Sequence, residues 1–140
     1  MPYAQAQNGY TTRTFDVLGR PTSESQSDER GAVVASVGIA YAGRTTTLTD
    51  PLGRPHSRVA DVNGQLRRVI DPAPGGITRY DYDSHGNLTR IQDADGVVSS
   101  GSHDVRGLRM QWSDAGTGTT MYSHNSLGEL VSWRNAKNQV

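Results

Sequence analysis

Apolar and polar positions along the chain alternate within short runs, and turns rich in Asp, Asn and Gly separate these runs. Runs such as QLRRVI, NLTRIQ and ELVSWR mix β-branched, aromatic and leucine residues with polar ones, which is typical of strands. They lack helix caps and an apolar face with a period of 3.6 residues, so we expect no helices. The pattern therefore predicts an all-β protein.

The turns recur with a period. Glycines that close Asp-x-x-Gly-like turns follow one another at steps of 24, 21, 22, 21 and 21 residues, and a second series of turns lies between them. One unit of about 21 residues then corresponds to one β-hairpin, and repeats of this length indicate a stacked array. We predict six β-hairpin repeats with about twelve strands, forming a single β-ribbon or solenoid over residues 1–140.

The turn residues have a clear local chemistry. An Asp or Asn side chain accepts a hydrogen bond from the backbone two residues on, and a closing Gly adopts positive φ without a steric cost. The predicted structural turn residues are Asp16, Gly19, Asp50, Gly53, Asp61, Gly64, Asp83, Gly86, Asp93, Gly96, Asp104, Gly107, Asn125 and Gly128.

Apolar residues also recur at fixed positions within the unit. Stacked repeats bury such positions against their neighbours, so the positions predict two core columns. The first column, two residues before the second turn, is Leu48, Val69, Ile91, Trp112 and Trp133, and the second, after the first turn, is Leu66, Leu88 and Leu130. A register slip of one residue would turn these side chains to the other face, so the pattern leaves open which face is inside.

The unit YDYDSHGNLTRIQDADG, residues 80–96, resembles the YD repeat, also called the Rhs repeat. Weaker copies are FDVLGR, DVNGQL and NSLGEL, and together they span almost the whole chain. In two of the units His103 and His124 replace the tyrosine of the motif. The positions that match the motif Tyr-Asp-x-x-Gly-x-Leu and the following Asp-x-x-Gly are Tyr82, Asp83, Gly86, Leu88, Asp93 and Gly96.

This resemblance implies a β-ribbon that spirals into a hollow shell, which encloses a toxin domain in bacterial Rhs and Tc-type toxins and forms a barrel in animal teneurins. Such shells need more than six repeats, so the resemblance implies a shell segment or a unit completed by association. The family's self-cleavage motif, Asp-Pro-x-Gly-Leu, is not matched by DPLGRP, in which Arg54 replaces the leucine. We therefore expect no self-cleavage, and no toxin domain after Val140.

Composition narrows the classes of function. The 140 residues carry a formal net charge of zero, which argues against nucleic acid as a partner. There is no cysteine, so disulfides and Cys-based zinc sites are excluded. No apolar run is long enough for a membrane helix, and the first ten residues lack a signal-peptide pattern. We expect a secreted or cell-surface protein, without membrane insertion, whose export depends on another route or on an upstream region.

The sequence contains few residues that are candidates for catalysis or metal binding. His103 and His124 lie one repeat apart and would bind a metal if further ligands converged on them, or they replace tyrosines in an aromatic column. The paired carboxylates of Asp81 and Asp83 and of Asp93 and Asp95 are candidates for acid–base chemistry or for calcium binding, although capping of turns explains them more simply. We assign no catalytic, cofactor or metal site and predict that the protein is not an enzyme.

The predicted function is therefore structural, as part of a shell that encloses or presents a toxin or effector. Its partners would be further repeats of the same kind, in the same chain or through self-association, and an enclosed effector domain. Two alternatives remain open. One is a module whose aromatic residues bind carbohydrate or a cell surface, and the other is a filament subunit, because open strand edges and repeats template further pairing.

Overall fold

In the computed structural model, the described residues are 9–72 and 74–137, and their regular secondary structure is β-strand throughout. The predictions of an all-β fold and of hairpin repeats with about twelve strands are confirmed. No helix that could cross a membrane occurs in the described part of the chain. The strands are β1 (Tyr10–Phe15), β2 (Pro21–Ser27), β3 (Val33–Ala42), β4 (Thr45–Thr49), β5 (Pro55–Ala60), β6 (Leu66–Ile70), β7 (Ile77–Tyr82), β8 (Leu88–Gln92), β9 (Val98–His103), β10 (Arg109–Asp114), β11 (Gly118–His124) and β12 (Leu130–Arg134).

The chain divides into two compact units, Met1–Val59 and Ala60–Val140. In the first unit, β1 to β5 lie side by side in chain order, and each strand pairs antiparallel with the next. In the second unit, β6 to β12 follow one another in the same way. Each unit is thus a meander of hairpins of the predicted kind, and the single array over residues 1–140 stays a prediction.

A β-bulge recurs at the start of several even-numbered strands. Opposite β7, the register passes from Tyr82 paired with Leu88 to Asp81 paired with Arg90, so Thr89 is an extra residue. The same shift occurs between β9 and β10, between β11 and β12, and between β1 and β2. Because one extra residue reverses the alternation of side chains, Leu88 and Ile91 lie on the same face although they are three residues apart.

The fold has little interior. No hydrophobic side chain among the described residues is buried, and Ser27 is the buried polar residue among them. Backbone pairing and half-buried side chains, rather than a closed core, therefore hold each unit together.

Candidate functional site

All seven predicted turns are closed by the same backbone hydrogen bonds. The N–H of the leading Asp or Asn donates to the carbonyl oxygen four residues on at 2.9–3.0 Å, and the N–H of the glycine donates back to the leading residue's carbonyl oxygen at 2.9–3.2 Å. The seven glycines have φ between 75° and 91°, where an L side chain is strained. The leading residues are Asp16, Asp50, Asp61, Asp83, Asp93, Asp104 and Asn125.

The side chain of the leading residue also holds the turn. In the turn of Asp83, Oδ1 accepts hydrogen bonds from the backbone N–H groups of His85 and Asn87, both at 2.9 Å, and Oδ2 accepts one from Asn87 Nδ2 at 2.9 Å. Such hydrogen bonds stabilise the ionised carboxylate. The Asn87 side chain, followed by its backbone N–H, lowers the pKa of Asp83, and the backbone N–H of Arg54 is the largest cause that lowers the pKa of Asp50 to about 2.

Asn125 shows how the turn adapts when the carboxylate is replaced. Its Oδ1 accepts the N–H groups of Leu127 and Glu129, both at 3.0 Å, as an aspartate would. The second atom of the amide is a donor, and Asn125 Nδ2 donates to Glu129 Oε2 at 2.6 Å. At the corresponding place Asp16 Oδ2 accepts from Arg20 Nε at 2.8 Å. Between these two turns, the residue four positions after the leading residue changes from the cation Arg20 to the anion Glu129.

Neighbouring turns in the second unit are tied to each other by side chains. Gln65 Nε2 donates to the carbonyl oxygen of Gly86 at 3.2 Å, about one repeat further along the chain. Arg106 NH1 donates to the carbonyl oxygens of Asn125 and Ser126, both at 3.2 Å. The Asp61 and Asp83 turns are thus linked at the ends of the strands, as are the Asp104 and Asn125 turns, and the sequence pattern did not predict these links.

A polar cleft of about 560 Å³ lies between the turns that begin at Asp61 and Asp83. Asn63, His85 and Tyr82 are among the residues that line it. The guanidinium of Arg67 lies over the Tyr82 ring, 5.2 Å from its centroid, and its Nε donates to Asp61 Oδ2 at 2.9 Å. The cleft walls are therefore built from the turns themselves, with one face of the aromatic ring already covered by a cation.

One face of the second unit carries the aromatic side chains and several of the apolar ones, and we call it the aromatic face. The register from β6 to β12 places its members on the same side of the sheet, since paired residues share a face. These residues are Val69, Tyr80, Tyr82, Leu88, Ile91, His103, Trp112, Tyr122, His124, Leu130 and Trp133.

The predicted core residues lie in strands, but none is fully buried. Trp133 is 43% exposed and Leu130 54%, whereas Leu48, on β4 of the first unit, is 40% exposed. The other five are half-buried: Leu66, Val69, Leu88, Ile91 and Trp112. A true core at these positions stays a prediction, because it needs something to cover the face. Stacking of sugars on the exposed part of Trp133 likewise stays a prediction.

Arginine side chains stack on aromatic rings in both units, a contact that the sequence pattern did not indicate. The Arg20 guanidinium lies 4.2 Å from the centroid of the Tyr41 ring, and Arg109 lies 4.7 Å from that of Trp112. Stacked guanidinium groups are attracted by the ring and shield its face from water. Arg20 thus donates a hydrogen bond to the carboxylate of Asp16 in its own turn and also stacks on the Tyr41 ring of a neighbouring strand.

His103 and His124 replace tyrosines on the aromatic face, at the ends of β9 and β11. His103 pairs with Arg109, and His124 pairs with Leu130. The Nδ1 atoms of both rings are shielded from solvent without a hydrogen-bond partner. Within residues 9–72 and 74–137, no three or more His, Cys, Asp or Glu side chains converge as a metal site would require.

The comparison with protein families matches the part of the second unit that carries the clearest motif. A family model for the RHS repeat matches residues 61–98. Residues 61–98 carry an Rhs repeat. The resemblance read from residues 80–96 is thereby confirmed, and this Rhs match includes the cleft between the Asp61 and Asp83 turns. Among curated proteins, no sequence matches the chain at a significant level.

Solved structures share the fold of this chain. The crystal structure of TcdB2-TccC3 superposes with a TM-score of 0.76 and 19% identity, covering 93% of this chain and 8% of that chain. The complex TcdB2-TccC3-Cdc42 gives 0.75 and 18%, covering 93% and 8%. A Tc holotoxin pore of Photorhabdus luminescens gives 0.74 and 19%, covering 91% and 7%. The chain thus spans less than a tenth of the length of these structures.

Proposed function

We propose that the chain is a structural segment of an Rhs-type β-shell that encloses or presents a toxin or effector, in a secreted or cell-surface protein. The observation that carries the proposal is a contrast within each repeat. The turns satisfy their backbone and carboxylate groups locally, whereas no described hydrophobic side chain is buried. A repeat of this kind satisfies its turn hydrogen bonds within itself but leaves its apolar side chains exposed. It therefore needs neighbouring repeats to cover those side chains.

The exposed apolar surface supports a role within a larger wall. The second unit carries the half-exposed aromatic face, on which Trp133 is 43% and Leu130 54% exposed. Apolar patches of several hundred Å² on a protein surface mark sites of interaction. The likeness to Tc toxin complexes, of which this chain would form less than a tenth, fits a segment whose face is covered by other parts of a shell.

The turn carboxylates support a structural rather than an enzymatic role. A general acid at neutral pH needs a raised pKa, but hydrogen bonds lower the pKa values of Asp16, Asp50, Asp83 and Asp104. These carboxylates stay ionised and occupied by turn donors at neutral pH. They are placed to hold hairpins rather than to transfer protons.

Self-assembly is a second candidate, and the sheet edges favour it. Among the described residues, β1 pairs with β2 and β12 pairs with β11, so each leaves an outer edge without a partner strand. Every residue of β1 is exposed. Unpaired edges template the addition of further strands, and repeats that add head to tail without closing form fibres.

The test is the mass and form of the purified chain across concentration, by light scattering and negative-stain electron microscopy. If neighbours complete the fold, the mass will exceed 15.1 kDa and rise with concentration. Closed particles would favour a shell segment, and long fibres would favour a filament subunit. A folded monomer at every concentration, with no binding of an apolar dye, would refute both roles.

A matched pair of variants identifies the edge that is used. Val131 is the extra residue of the bulge on β12 and is 65% exposed. Val131→Lys adds a charge of the kind that protects natural sheet edges and is expected to reduce the mass of the assemblies. Val105→Lys is the control, because Val105 is 93% exposed in a turn and away from the edges. Equal masses for the two variants would exclude the outer edge of β12.

A further inference from the structure

Two arginines on the face opposite the aromatic face lie directly across from each other. Arg68 on β6 pairs with Arg79 on β7, so their Cβ atoms are about 5 Å apart on one face of the sheet. Both residues are exposed. No ion pair or side-chain hydrogen bond to either occurs in the part of the chain that the structure describes. Like charges in this position destabilise a strand pair.

Several arginines of the chain are matched with a carboxylate. Arg13 lies directly opposite Glu24, and Nε and Oε2 are 2.8 Å apart. Others bind the carboxylate of a turn, as Arg54 does with Asp50 at 2.7 Å. Arg68 and Arg79 differ from these arginines, because each has a second cation rather than a carboxylate directly opposite.

The residues around the pair add donors rather than a free anion. Gln92 lies directly opposite Arg79 on β8 and brings an amide. The carboxylate of Asp81, two residues along β7, is already shared with Arg90, with 3.5 Å between Oδ2 and NH1. The patch thus presents two uncompensated guanidinium groups and an amide donor to the solvent, and one neutralised ion pair beside them.

We propose that Arg68 and Arg79 form a binding site for a tetrahedral oxyanion of the phosphate type. A guanidinium group matches two phosphate oxygens with its planar fork of N–H donors. One phosphate between the two side chains would accept hydrogen bonds from both and replace their repulsion with two attractions. Gln92 Nε2 would donate to a third oxygen. The group recognised is the phosphate, which a free solute or a lipid headgroup supplies. The site is independent of the shell role.

The first test is a titration of the purified chain with inorganic phosphate at constant ionic strength, with sodium chloride as the balancing salt. Side-chain NMR follows the Nε–H resonances of the arginines. We expect saturable shifts of Arg68 and Arg79, and a loss of affinity of about tenfold in Arg68→Gln and in Arg79→Gln, as for a lost charged hydrogen bond. Arg134→Gln is the control, because Arg134 is exposed on the same face opposite Met121.

Arg79→Glu keeps the proposal testable if the glutamine variants fold poorly. This variant replaces the repulsion by an ion pair with Arg68, so it should raise the urea midpoint of unfolding and abolish the phosphate-dependent shifts. Phosphate shifts in Arg68 and Arg79 that match those of Arg134, or unchanged binding in Arg79→Glu, would overturn the site.

A second arm distinguishes the sources of phosphate. Phosphatidylcholine vesicles with and without phosphatidic acid are sedimented with the wild-type chain and with Arg79→Glu. Binding that requires phosphatidic acid and is lost in the variant would identify a lipid headgroup. Saturable binding of inorganic phosphate without sedimentation would identify a free solute. Binding to neither would refute the proposal.

Discussion

Gly101 offers a sharp test of how closely the aromatic face is packed. It lies in the middle of β9, directly opposite Trp112 on β10. A Cβ atom at Gly101 would lie 2.5 Å from Cε3 and 3.2 Å from Cζ3 of the Trp112 ring, and would also meet the carbonyl oxygen of Gln111. Carbon atoms pack best at about 3.5–4.0 Å, so the ring or the strand must move by about 1 Å in Gly101→Ala. Overpacking of this kind costs about 1–3 kcal/mol.

Gly38→Ala is the matched control, because Gly38 is also a half-buried glycine within a strand. Its Cβ would lie 3.8 Å from the Cβ of Thr49, an ordinary contact, and replacing a compatible glycine by alanine stabilises a protein by about 0.4–1 kcal/mol. Urea unfolding followed by circular dichroism, at one protein concentration, measures both changes. A free energy of unfolding for Gly101→Ala within about 0.5 kcal/mol of the wild type would refute the close contact with the Trp112 ring.

Three further predictions concern the turns. Since the pKa of Asp50 is lowered to about 2, its contribution to stability is present above its unfolded pKa, about 3.9, and is lost as the pH falls through 2. The urea midpoint should therefore fall between pH 5 and pH 2, and less so in Asp50→Asn; a midpoint independent of pH in the wild type would contradict this. Asn125→Asp brings a carboxylate against Glu129, 2.6 Å from the present Nδ2, and should lower stability by about 0.2–1 kcal/mol, the range for exposed charge pairs. Adding Glu129→Arg should restore it, and a double variant as weak as the single one would argue against this pairing. Gly64→Ala should lose about 1–2 kcal/mol through its φ of 80° alone, because nothing lies within 4 Å of the new Cβ. Gly64→Asn should lose less, since Asn tolerates this conformation, and equal thermal melting of the two variants would count against a backbone origin.

The hairpins and their turns could be predicted from the sequence because their chemistry is local. An Asp followed three residues later by Gly contains the acceptor, the positive φ and the length that the turn needs, as the turn from Asp83 to Gly86 shows. Strand-like runs between such turns have no alternative partner nearer than the next run. A period of about 21 residues therefore predicts the order of the strands as well as their existence.

The faces could not be predicted, because a single residue decides them. Strict alternation would have placed Leu88 and Ile91 on opposite sides of the sheet, and the bulge at Thr89 brings them together. A bulge has no compositional signature here, since the corresponding extra residues are Met110 and Val131 in the later hairpins. The side-chain hydrogen bonds between turns and the stacking of Arg109 on Trp112 depend on this register. For the same reason, the sequence pattern could not predict these contacts.

The division between local and non-local interactions also explains why such a repeat is useful in a larger assembly. Each turn carries its own hydrogen bonds, so the conformation of the turn does not depend on which element lies next to it. The aromatic face, in contrast, gains stability only in proportion to the area that other elements cover, at about 25 cal/mol per Å² of apolar surface. Trp133, on the last strand described, is 43% exposed, whereas Trp112, with strands on both sides, is half-buried. Each added hairpin thus increases the burial of the hairpin before it, and the free energy that favours growth comes from the terminal hairpin, which is the one left uncovered.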